Sequence, residues 1–395
     1  MSQTLVPHFD DAALQGLIHE GCGARYGDDP HGPQVLFDPP VGAPADDPAD
    51  ALLSGGLMLL ADWGIVTIDG PDAAAFLHAQ TTNDVEHQAV DEMRWHGYCT
   101  PKGRLLAGGP LWRDGTSFRF AVARPLAGPL QQRLSRYVLR AKARLGDDSD
   151  KLLVLGLIGR AAPAALRALG IEPPAPLGVA GPEPVEAADS AAPLTSLAIG
   201  MRAAAGIGDR WWLVVPAASL PAVWATLSSL LVPLCSNWWR SGEILAGEPR
   251  IVAATSEAYV PQTLNWDLIE GLSFSKGCYP GQEVVARLHY RGKPKRRCFA
   301  AWVDDEDSDA AAATPAALAP GAELFDDGGP VGTVVSSAPA PQGGRLLLYE
   351  APIGVAQRGG LRTADGQALV PRELPYPLPE GGSSSAGNET AGTRS

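Results

Sequence analysis

GLSFSKGCYPGQEVVARLHYRGKPKRR, residues 271–297, is the stretch of the chain densest in chemistry. Lys276 stands two residues before Cys278, and Gly277, Pro280 and Gly281 surround the thiol with turn-forming residues. From Gly281 to Leu288 the residues favour a helix. If that helix starts just after Cys278, its unpaired N-terminal amides and the Lys276 ammonium both favour thiolate over thiol. Pro280 suits a first turn, and Gln282 and Glu283 suit the satisfaction of the first amides. Two readings stay open, an activated thiol or a structural turn whose cysteine merely packs, because spacing fixes no general base. Beyond the turn, Arg287, Arg291, Lys293, Lys295, Arg296 and Arg297 fall within eleven residues. Such a cluster is either an anion footprint or a solvated linker.

Working outward, Ile65–Ile68 reads as a strand, Asp69-Gly70-Pro71 as a turn and Asp72–Gln80 as a helix that buries Ala73, Phe76 and Leu77. Leu126, Leu130, Leu134 and Val138 recur every four residues, which predicts an amphipathic helix over 125–144 with arginines outside and an end at Gly146. A second unit runs through a strand at 151–158, a helix at 159–170, a strand at 211–215 and a helix at 219–232. After Arg297 the short segments FAAWV, GTVVSS and RLLLYE, separated by Gly, Pro and acidic loops, predict a small β-barrel or sandwich. The class is therefore α+β. Residues 38–50 read as a linker after an N-terminal extension, 305–320 as an acidic, alanine-rich insertion and 376–395 as a disordered tail.

Composition excludes several classes of function. No apolar run approaches the roughly 18 residues of a membrane span, and the N-terminus shows neither a secretory nor a transit pattern, so a soluble, cytoplasmic protein is expected. The 44 acidic residues against 31 Lys plus Arg give a net charge of −13, which repels polyanions except where positive charge is concentrated. Cys22, Cys99, Cys235, Cys278 and Cys298 are odd in number and never CxxC, as expected of reduced thiols and of a chain without a metal site. Gly21-Cys22-Gly23 lacks a dinucleotide context, and neither a P-loop nor a G-x-S-x-G elbow occurs.

KGCYPGQE (276–283) with VARLHYRGKPKRR downstream resembles the K-G-C-Y-x-G-Q-E signature of the YgfZ-type folate-binding proteins, relatives of the glycine-cleavage T-protein. DWGIVTIDGPDAAAFLHAQTTND (62–84), YCTPKGRLLA (98–107), and WWRSGEILAGEPRI with VPQTLNWDLIEGLSF (238–274) are similar to the same family in the same order. The resemblance implies a T-protein-like three-domain cloverleaf around a central folate-binding hole, with a small C-terminal β-barrel. On it the chain divides into an extension and linker (1–54), a discontinuous folate-binding domain (55–150 plus 238–296), a second α+β domain (151–237), a barrel (297–375) and the tail.

It further implies tetrahydrofolate, or a one-carbon derivative, as cofactor. Trp63, Trp239, Glu243, Tyr279 and Gln282 are the implied folate contacts, with core packing as the alternative for either tryptophan. Cys278 is the implied chemical residue, tuned by Lys276. The basic stretch then suits folate polyglutamate, an acidic partner or, more weakly, RNA, while Lys102 and Arg104 are structural or anion-contacting. The implied role is assistance to iron–sulfur cluster assembly or repair, with iron–sulfur enzymes or cluster-assembly proteins as clients. Clusters usually need about four cysteinyl ligands, so one thiolate suits a transient role rather than permanent cluster binding. The alternative is a tetrahydrofolate-dependent aminomethyltransferase. T-proteins carry a catalytic aspartate after the first-domain turn, whereas GRLLAGGPLW (103–112) holds no carboxylate, which argues against that activity.

Overall fold

The computed structural model describes residues 24–37, 48–182, 196–305 and 314–379. Three large sheets organise them, and alternation along each strand decides the arrangement. In the strand Leu152–Ile158, Leu153, Leu155 and Leu157 pack outward with Leu166, Leu220, Trp224 and Leu227 of the helices Ala162–Ala168 and Leu220–Ser228. Val154 and Ile158 face the other way, into a cluster that holds Trp63, Trp95, Trp112, Trp212, Trp239 and Trp266. In the strand Trp63–Asp69, Val66 and Ile68 pack with the helices Ala73–His78 and Arg124–Ser135, while Trp63 and Ile65 face the same tryptophan cluster. The strand Arg296–Val303 gives Cys298 and Ala300 to that cluster and Ala301 and Val303 to a separate core. Period-two alternation thus gives each sheet an outer core of its own and an inner face on one shared aromatic centre.

The first sheet is antiparallel, in the order Met93–Cys99, Leu105–Asp114, Ser117–Ala123, Trp63–Asp69, Arg144–Asp147. The second runs Val179–Ala180, Leu197–Ala204, Gly208–Pro216, Leu152–Ile158, Gly56–Leu59, Val232–Pro233. Gly56–Leu59, which the sequence groups with the first unit, is thus a strand of the second sheet, in register with Leu155–Ile158. The third runs Glu323–Asp326, Gly329–Pro339, Arg345–Pro352, Arg296–Val303, Val370–Arg372. Among the described residues no ladder joins its two end strands, so the expected barrel is here an open five-stranded sheet.

Other expectations shift. The helix predicted over 125–144 ends at Ser135, because Leu139 takes a left-handed φ of 40° and Arg144–Asp147 pairs with the strand Trp63–Asp69. Gly146, the predicted helix end, lies in that strand. The extension is not peripheral: Ala24–Gly27 pairs with Gln34–Phe37, and His31, Gln34 and Val35 are buried. Within the predicted linker a helix, Pro48–Gly55, begins, whereas 38–47 lie outside the described residues. Within the predicted insertion Leu318 is buried and 306–313 lie outside the described residues. The predicted tail begins with an anchored residue, since the Tyr376 hydroxyl donates to the Gly247 carbonyl at 2.7 Å; 380–395 lie outside the described residues. Among the described residues no helix is long and apolar enough to cross a membrane.

Candidate functional site

The helix after Cys278 starts later than its sequence suggests, at Gln282, and runs to Tyr290. Gly281 occupies the N-cap with φ 82°, and no side chain caps the helix, so the capping role expected of Gln282 and Glu283 is not realised. Glycine is required there: a Cβ on Gly281 would lie 2.4 Å from the Thr100 carbonyl oxygen, and one on Gly103 would lie 2.8 Å from Val284 Cβ. These two glycines let the PGQE and TPKGR turns pack back to back. Among the described cysteines Cys278 is exposed, Cys235 half-buried, and Cys99 and Cys298 buried. Burial pushes the Cys99 thiol up to about 12 and the Cys298 thiol higher still. Cys22 lies outside the described residues.

Lys276 is anchored rather than free. Its ammonium donates to the carbonyl of His78 and, at 2.6 Å, to that of Thr81, and sits 4.8 Å from the centre of the Tyr279 ring. Burial pushes its pKa down to about 8, against the opposite pull of Asp84, Glu86 and Cys278. Tyr279 is itself buried, and its carbonyl accepts from the Gln282 amide at 3.2 Å.

Two residues here were missed in the sequence. His78 Nδ1 lies 3.2 Å from Asp84 Oδ1, within ion-pair range but off hydrogen-bond alignment, and His78 Nε2 lies 3.5 Å from where a Cβ on Gly277 would stand. Hydrogen bonds from His87 hold the Asp84 carboxyl below its ordinary value, outweighing partial burial. Local spacing around Cys278 fixes no general base, and His78 lies 200 residues away in the chain. The available signal was its place at the end of the helix in the matching stretch 62–84.

Trp63, Trp239 and Glu243 come together elsewhere. The Arg250 guanidinium lies 3.9 Å from the Trp63 ring centre and donates to Asp62 Oδ2 at 2.7 Å, and its Nη1 is 3.7 Å from Glu243 Oε2. Glu243 Oε1 accepts from the Trp239 indole at 3.1 Å. Gly156 permits this arrangement, since a Cβ there would stand 2.4 Å from Trp239 Cε3. Burial raises the Glu243 pKa, opposed by Arg250. Trp63 and Trp239 are only 2% and 1% exposed, so neither shows a free face to solvent. Yet the nest is not saturated: Trp63 Nε1, Trp212 Nε1, Arg250 Nε, Arg240 Nη2 and Glu248 Oε1 are buried without a hydrogen-bond partner.

A cleft of about 630 Å³ opens beside the Lys276 turn, and none of Trp63, Trp239 and Glu243 lines it. Asn83, Asp84, Arg94, Glu270 and Phe274 line it, its rim segment Ser273–Ser275 leads directly into Lys276, and its floor residues Met93, Trp95 and Ile269 belong to the aromatic cluster that holds Trp63 and Trp239. That volume is within the range of small-molecule sites, about 300–1,000 Å³. Among the described residues no three His, Cys, Asp or Glu side chains group as a metal site.

No family model matches the chain. In the solved structure of the glycine cleavage system aminomethyltransferase T from Bartonella henselae, a similar fold covers 91% of this chain and 95% of that one, with a TM-score of 0.61 at 17% identity. The protein therefore has the fold of the aminomethyltransferase T class. The tRNA-modifying protein YgfZ of Serratia proteamaculans is 30% identical over 339 residues, 85% of this chain and 97% of that protein. YgfZ of Escherichia coli K12 is 33% identical over 253 residues, covering 64% and 73% respectively. The chain belongs to the YgfZ family.

Proposed function

We propose that the chain is a folate-binding accessory protein that assists iron–sulfur cluster assembly or repair, including for enzymes that modify tRNA, and that the Cys278 thiol is its chemical group. The observation that carries this reading is the exposed Cys278 held between the anchored Lys276 and a glycine-built turn, beside a cleft of small-molecule size. Membership of a family whose relatives are named tRNA-modifying proteins supports the tRNA side of it.

The residues present fit a tetrahydrofolate. A pterin presents N–H donors on one edge and a flat ring; the cleft offers the carboxylates of Asp84 and Glu270 and the Trp95 indole, whose Nε1 is buried without a partner, and the Trp63–Trp239–Glu243 nest offers a carboxylate and further partnerless polar atoms. In this reading the ligand enters by the cleft, Glu243 accepts from the pterin edge, and Trp63 and Trp239 wall its inner end. Tyr279 and Gln282 hold the turn at the rim. When bound, the folate supplies a one-carbon carrier. Calorimetry and tryptophan quenching test it: tetrahydrofolate produces heat and quenching, and the Trp63→Ala, Trp239→Ala double variant loses both. Absence of both signals at high micromolar ligand sinks the folate assignment.

The aminomethyltransferase alternative is not favoured. In the strand Leu105–Asp114 the one carboxylate is Asp114, engaged by Arg119 at 3.0 Å, so no free acid stands where the transfer reaction needs one. We expect no turnover with a lipoyl carrier and tetrahydrofolate. In cells lacking the protein, wild type restores iron–sulfur enzyme activity and Cys278→Ser does not; equal rescue by both removes the thiol from the function.

A further inference from the structure

We propose that the face formed by the helix Gln282–Tyr290 and the segment 291–296 is a docking surface for single-stranded RNA. The surface extends the function beyond folate and thiol, and only the choice of RNA over DNA rests on the tRNA-linked reading above.

The surface begins with charge. Arg287, Arg291, Lys293 and Lys295 are all exposed, and among the described residues none has a carboxylate partner, whereas Arg296 is taken by Glu350 and Arg297 by Asp267. Four cations without an ion-pair partner, against one carboxylate, Glu283, in the same lining, give this face a local positive excess opposed to the chain's net −13. At physiological salt a charge is felt over about 8 Å, so a phosphate on this face meets the local cations and not the average of the molecule. Shape adds to charge. A cleft of about 610 Å³ runs along the face, with Val284, Leu288 and Pro294 between the cations. Cations alternating with apolar side chains suit a chain that presents phosphate and ring in turn.

An aromatic step at the end of the helix, between this cleft and the one that Phe274 and His289 line, selects the occupant. His289 stacks on Phe274 with centroids 3.7 Å apart and planes 13° apart, and Tyr290 stands edge-on to both. Tyr290 is 67% exposed at the helix end, next to Arg291. An acidic peptide would use the cations and gain little from an exposed phenol, whereas an unpaired base stacks on it. The helix has nine residues, so at about 1.5 Å per residue this step lies some 13 Å from the turn that carries Cys278. RNA held here lies within reach of the thiol's neighbourhood.

The test is fluorescence anisotropy of the full chain with a labelled single-stranded RNA of about 12 nucleotides, within the span such grooves cover. Four phosphate contacts predict log K falling with log salt at a slope near −3, from about −0.7 per contact on single strands. Changing Arg287, Arg291, Lys293 and Lys295 together to Gln should abolish most binding and flatten the slope. Tyr290→Ala should weaken binding about tenfold with the slope unchanged. Circular dichroism of both variants and the folate titration of the four-Gln variant, all expected to match wild type, separate failure of this surface from failure of the folate reading. Undetectable RNA binding at low salt overturns the proposal. So does tighter binding of an oligoglutamate of equal charge, which would assign the face to an acidic partner or a folate tail. Equal affinity for DNA of the same sequence overturns the choice of RNA.

Discussion

The proposed tuning of Cys278 by Lys276 runs through the state of one ammonium. Burial lowers the Lys276 pKa to about 8, so below that pH the group is charged beside the thiol and above it the charge is lost. Alkylation of Cys278 should therefore be several-fold faster in wild type than in Lys276→Met near pH 7, with the ratio approaching one above about pH 9. Iodoacetamide rates followed peptide by peptide give this ratio; a ratio independent of pH removes Lys276 from the chemistry. The same experiment ranks the thiols. Cys99 and Cys298 should label only on unfolding, since both are about 1% exposed or less and burial raises both pKa values. The exposed turn that carries Cys278 was legible in sequence because glycine, proline and lysine cluster locally. His78 and Asp84 were not, because local spacing says nothing of a partner brought in by another element.

Elements were legible where apolar spacing matched one period and illegible where long-range pairing decided. The strand Leu152–Ile158 needed only its own run, while the helix predicted to 144 was cut short by a strand pairing with residues 66–69. The N-terminal hairpin was the larger omission, since its anchor is polar. His31 Nδ1 donates to Asp29 Oδ1 at 2.7 Å and its Nε2 accepts from the Ser337 amide at 3.1 Å, so the ring is neutral with one defined tautomer. Burial and Arg240 together lower its pKa from 6.5 to about 4. The unfolded chain takes up this proton near 6.5 and the folded chain only near 4. The unfolded state therefore binds more protons across that window, and stability falls as pH drops through it. A shift from 6.5 to about 4, at about 1.4 kcal/mol per unit, amounts to about 3–4 kcal/mol. Urea midpoints at pH 7 and pH 4.5 measure this, and His31→Gln should lose that part of the slope. Direct NMR titration of the imidazole serves if that variant does not fold; a midpoint near 6.5 refutes the anchor.

Across the whole molecule, sequence similarity reveals the shared fold but not which segments bind it together. Asp29 illustrates the difference. Its carboxylate accepts from Arg240 Nη1 at 3.2 Å, from His31, and from the amide and hydroxyl of Thr314, so one side chain joins the N-terminal hairpin, the helix Asn237–Leu245 and the approach to the third sheet. Burial opposes its ionisation, but Arg240 and the His31 hydrogen bond prevail and hold the carboxyl well below the ordinary range. Arg240 is only 2% exposed, and its other close carboxylate, on Asp62, stands 3.7 Å away. Asp29→Ala should therefore cost about 3–5 kcal/mol, the usual penalty for leaving one member of a buried pair without its partner. The loss should appear as one earlier cooperative transition seen equally by tryptophan fluorescence and far-UV circular dichroism, because the shared tryptophan cluster takes side chains from all three sheets. The double variant Asp29→Ala, Arg240→Met, which removes the stranded charge, should recover much of that loss. If Asp29→Ala unfolds like wild type, or if a separate early transition leaves the tryptophan signal unchanged, the N-terminal segment is an appendage after all.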